Sequence, residues 1–162
     1  MSYGNSEGIP IRTGTVAGVV AFLVGLLVTF LVGALGVSRG LSFLVGLAPL
    51  QGAIVGFSSF HLWPLVLGGS TGLSPVWTLV PVVVLVLAGY LTVFTAGRSS
   101  NGFRDGASVA VGYFGLTVVA FLLSFVGGGG GQLGQVLVGV LFTGVLFPVV
   151  FGGVGGAVAG AG

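Results

Sequence analysis

The chain has no cysteine and no lysine, one histidine, and only two acidic residues, Glu7 and Asp105. Each shortage removes a class of chemistry. Without cysteine there is no disulfide, no thiolate metal ligand and no cysteine nucleophile. Without lysine there is no amine on which a Schiff base could form. A lone histidine falls short of a metal site or a haem pair, which need further nitrogen, sulfur or carboxylate ligands. Glu7 and Asp105 both lie outside the apolar runs, so paired-carboxylate catalysis and a proton relay through a membrane lack their residues. Basic charge is scarce too. The four arginines and net charge of +2 cannot make a surface that tracks phosphates, and nucleic acid is not an expected partner. No catalytic residue, cofactor or metal is expected, and the chain does not read as an enzyme.

What fills the chain is apolar: 55% of residues are hydrophobic and 4% charged, against about a quarter charged in soluble domains. The run from Pro75 to Gly97 has no ionisable side chain except Tyr90, and a helix of that length rises about 35 Å, enough to cross a hydrocarbon layer of roughly 30 Å. It leads into the polar connector that holds Arg98 and Arg104. Similar runs occupy about 14–37, 41–60, 106–126 and 133–160, after a polar tail at 1–13. The first is too long for the apolar region of a secretory signal. The reading is a single all-α membrane domain, a polytopic bundle of five spans. It has four if 41–60 is re-entrant or interfacial, because Pro49 frees a carbonyl and Gln51 needs a partner within that run. His61 and Trp63 then look like an interfacial exit. Gly127 to Gly131 makes a turn before the last span, in which Pro148 should produce a kink.

Positive charge beside a span tends to stay in the cytoplasm, which makes Arg39, Arg98 and Arg104 the topology anchors of the five-span reading. That reading places the carboxyl terminus inside and the amino terminus outside, in a plasma membrane. With four spans both termini are inside, and Arg12 replaces Arg39 in the cytoplasmic set. Each version puts three arginines in and one out, so charge does not choose between them.

Glycine supplies 34 of the 162 residues, about three times its usual share of roughly 7%. At 100° per residue, Gly14, Gly18, Gly25, Thr29 and Gly33 form one stripe on the first span, and Ser108, Gly112 and Gly115 another on the fourth. The last span repeats glycine at Gly152, Gly156 and Gly160. In lipid, apolar burial gives no drive between helices, and small residues let backbones approach. These faces are therefore read as helix-packing surfaces, either within one chain or between subunits. Among the polar groups, Gln51, His61 and Tyr90 are the candidates for a pore or ligand contact. Asp105 is expected to pair with Arg104 or to cap the fourth span. The glycine run resembles a phosphate-binding loop only in its glycine, lacking the lysine and hydroxyl.

The absence of lysine, arginine as the sole basic side chain, and the weight of valine, glycine and alanine resemble small membrane proteins of unknown function from halophilic archaea. This resemblance is one of composition, covers the whole chain, and carries over no functional residue. The reading is a non-catalytic membrane protein, a structural or accessory subunit in contact with lipid, forming a homo-oligomer or part of a larger complex through glycine-rich faces. The alternatives are a passive channel or carrier for a small neutral or lipophilic solute, and a scaffold for an apolar cofactor or lipid.

Overall fold

The computed structural model describes residues 9–34, 54, 57, 58, 60, 61, 75–97, 101–126 and 133–162. The helices are α1 (Ile11–Ala34), α2 (Leu79–Ala96), α3 (Gly102–Ala107), α4 (Val109–Val126), α5 (Leu133–Leu141) and α6 (Phe147–Ala161). They make four rods long and apolar enough to cross a membrane: Ile11–Leu31, Val76–Ala96, Gly102–Leu123 and Val136–Ala161. Their outward faces carry large apolar side chains such as Val16, Leu23, Leu87, Phe94 and Leu122, each at least 42% exposed. Such a surface suits acyl chains and would be a liability in water. The protein is a multi-pass, all-α membrane protein.

Local chemistry sets the breaks. Pro75 opens a tight 3-10 turn, Pro75–Thr78, where its missing amide costs nothing. Gly97 ends α2 at φ 76°, a conformation that favours glycine. Between α3 and α4 the turn tightens at Ser108, whose amide and hydroxyl both donate to the carbonyl of Asp105, at 3.2 and 2.6 Å. Asp105 lies within α3 and is buried. Pro148 does not interrupt the last rod. The chain widens into one turn of π-helix, Phe142–Leu146, just before it, and the amide of Phe147 reaches back to the carbonyl of Phe142. Proline lacks an amide for the carbonyl four residues earlier, and a wide turn absorbs that mismatch within the helix.

The contacts fix the direction of each rod. Gly14 lies against Ser108 and Gly18 against Val109 and Tyr113, so α1 and α4 run parallel and start at the same end. Gly106 packs on Gly152 and Gly156, and Gly102 on Gly156 and Gly160, so α6 returns antiparallel to that end. α1 and α2 line a shared groove in which Arg12 and Thr13 lie beside Thr92 and Thr95, and Val24 beside Val84, which makes them antiparallel. The end of α1 and the start of α2 therefore share one end of the bundle. The four described rods are each long and apolar enough to span, and the reading of 41–60 as a span lies almost wholly outside the described residues. The beginning of α1 and the end of α6 lie together at the opposite end, with Arg12 and Arg104.

Glycine makes the contacts between rods. A Cβ on Gly112 would run into the carbonyl of Thr15, one on Gly89 into that of Gly152, one on Gly155 into that of Val86, and one on Gly156 into that of Gly102. At each of these points backbone meets backbone, the close approach that van der Waals packing in lipid depends on.

Candidate functional site

One fully enclosed polar group is the histidine that the sequence places at a membrane interface. His61 is fully buried and lies against Tyr113, near the middle of the Gly102–Leu123 rod. This corrects the interfacial reading. The turn that carries it, Phe57 to His61, enters the bundle because Gly25 has no side chain: the Phe57 ring occupies the space a Cβ there would need. His61 Nδ1 lies 3.0 Å from the carbonyl of Phe57, and Nε2 lies 2.7 Å from the hydroxyl of Tyr113. A carbonyl can only accept, so Nδ1 carries the proton, and Nε2 accepts from the Tyr113 O–H. The neutral ring thereby satisfies both nitrogens.

Aromatic rings enclose the pair. Phe57 and Phe147 meet the imidazole edge-on at centroid distances of 5.0 and 4.9 Å, and Phe22 meets Tyr113 at 5.2 Å. Edge-to-face contacts of this kind add about 0.5–1.5 kcal/mol each beyond burial. The arrangement clamps the Phe57–His61 turn to α4 from inside. Neither His61 nor Tyr113 is exposed, so no external group reaches the pair.

Most other buried hydroxyls among the described residues bond to carbonyls three or four positions back. Thr29 donates to the carbonyl of Gly25 at 2.9 Å, Thr92 to Ala88 at 2.8 Å and Thr117 to Tyr113 at 2.9 Å. Bonds of this kind satisfy a hydroxyl in an apolar medium without a pore. Thr143, within the π turn, is the exception among the described residues: its hydroxyl is buried and has no hydrogen-bond partner.

Of the sequence candidates for a polar site, His61 is sealed, while Tyr90 is 38% exposed and stacks on Phe94 at the bundle surface. The two do not converge, and Gln51 lies outside the described residues, as do Arg39 and Arg98. Among the packing glycines, Gly14, Gly18, Gly25, Gly112, Gly152 and Gly156 are all buried within the chain. Gly115 and Gly160 are exposed, and nothing lies within 4 Å of a Cβ built on Gly115. The surroundings of Gly33 lie outside what is described. Sequence reasoning missed Phe22, Phe57, Phe147 and the role of Tyr113. The signal for Tyr113 was a phenol in mid-span, since a buried phenol needs a partner.

No curated protein and no solved structure matches the chain. Over residues 51–162, which take in the clamp and the three rods after α1, the sequence matches a family of unknown function (DUF7978), and the chain belongs to that family.

Proposed function

We propose that the protein is a non-catalytic structural or accessory subunit of a membrane complex, acting through its outer surface. The observation that supports this most is where the polar groups go. The buried histidine and tyrosine satisfy each other, and Thr29, Thr92 and Thr117 bond to carbonyls of their own helices. Little chemistry is left inside for a reaction or a conducting path. Most small-residue contacts are spent within the chain, and the outward notch at Gly115 on α4, bordered by exposed Val111, Phe114 and Val119, is where a second helix would fit closely. The partner is a further copy of this chain or a different membrane subunit.

The experiment is mass measurement in mild detergent by native mass spectrometry, with crosslinking in membranes. An assembly larger than one chain is expected, and Gly115→Leu is expected to shift it to the monomer without loss of helicity. A monomer at all concentrations, with crosslinks only inside one chain, overturns the reading. The shared end that holds Arg12 and Arg104 is assigned to the cytoplasmic side of the plasma membrane, by the preference of arginine for that side.

A further inference from the structure

Between α1 and α2 a groove opens on the outer face of the bundle. Its deeper part, about 210 Å³, has a floor of Ala21 and Ala88, 2% and 8% exposed, and a rim of Val20, Val24, Leu87 and Leu91, 42–55% exposed. It continues through Ala17, Val20 and Leu91 into a second part of about 550 Å³ that ends at Arg12, Thr13 and Thr95. From Val24 to Arg12 the helix rises about 18 Å, more than half the hydrocarbon thickness of one bilayer. Alanine on both floors, flanked by branched side chains, makes a furrow shaped for a chain of methylenes. At its polar end sits one cation. Arg12 is exposed, lies in the first turn of α1 at one end of the span, and its guanidinium makes no hydrogen bond or ion pair with a described residue.

We propose that this groove holds one anionic glycerophospholipid, an acyl chain lying between α1 and α2 and the phosphate on the Arg12 guanidinium. Charge decides the class. A guanidinium offers five donors in a planar fork that matches phosphate oxygens, and a zwitterionic headgroup cancels much of the attraction that an anionic one keeps. The end that carries Arg12 is also the end assigned to the cytoplasm, where the leaflet is anionic. The inference rests on the membrane reading above and adds a ligand and a site to it.

The test uses the full chain in mixed micelles containing equal amounts of phosphatidylglycerol and phosphatidylcholine with identical acyl chains, read by native mass spectrometry. One retained phosphatidylglycerol per chain is expected, favoured about five- to tenfold over phosphatidylcholine. Arg12→Gln should abolish the preference, and Arg104→Gln, at the same end but outside the groove, should leave it intact. Ala17→Phe should reduce retention of both lipids by filling the furrow. No preference in the parent protein, or equal loss in the two arginine variants, overturns the proposal. Should Ala17→Phe fail to fold, the arginine pair still decides. Failure of the membrane reading is seen separately, as protein recovered from the soluble fraction.

Discussion

Gly89→Leu is expected to unfold the bundle or to leave it too loosely packed to survive purification. A Cβ at this position would fall well inside contact with the carbonyl oxygen of Gly152, with the carbonyl carbon and Cα of Gly152 close behind it. These are backbone atoms, so no rotamer change relieves the overlap, and α2 must separate from α6. Overpacking a core costs about 1–3 kcal/mol where side chains can yield. Here the cost is greater than about 3 kcal/mol, a large share of a stability of about 5–15 kcal/mol. Gly134→Leu is the internal control, because Gly134 is exposed, nothing lies within 4 Å of a Cβ built there, and the change should not destabilise the bundle. Denaturant titration in mixed micelles, followed by circular dichroism, distinguishes the two. Equal effects at Gly89 and Gly134 would remove backbone packing from the account.

The second large effect is at the aromatic clamp. Tyr113→Phe keeps the ring and removes only the hydroxyl, leaving His61 Nε2 buried with no donor, which should cost about 1–3 kcal/mol. His61→Leu leaves the Tyr113 hydroxyl buried and also loses the bond to Phe57, with a similar or larger cost. The combined variant should be less destabilised than the sum, since removing both partners leaves no orphaned group at their junction. Additive losses in a double-mutant cycle would mean that the two side chains do not act as a pair.

How much of this was legible in the sequence differs from element to element. The rods were, because length and lack of charge decide a span with little help from tertiary context. The face of α1 was also legible: Gly14, Gly18, Gly25 and Thr29 recur at helical spacing, and all four are buried. What those glycines touch was not, since a small residue specifies closeness and not a partner. Gly18 meets a backbone more than ninety positions along the chain, while Gly115, from an equally regular stripe, meets nothing. On α2, likewise, Thr92 is buried while Thr95, less than one turn further on, is exposed, with its hydroxyl turned back to the carbonyl of Leu91 at 2.7 Å.

The clamp was the least legible feature. Two residues before Trp63 in the sequence, His61 has the look of a headgroup residue, and only the fold brings it to Tyr113, 52 positions away. Pro148 was read as a kink because proline breaks the regular hydrogen-bond ladder. The structure places a π turn just before it, Phe142–Leu146, which accommodates the missing amide inside a continuous rod.

Direction is the feature on which the rest depends, because it places Arg12, the groove and both ends of the described chain at one end of the bundle. The cysteine-free background allows it to be read with single introduced thiols. Thr13→Cys and Ala161→Cys, each tested in intact cells with a membrane-impermeant maleimide, are both expected to stay unlabelled until the cells are opened. Labelling of one in intact cells and not the other would put the two ends on opposite sides and contradict the directions of the described rods.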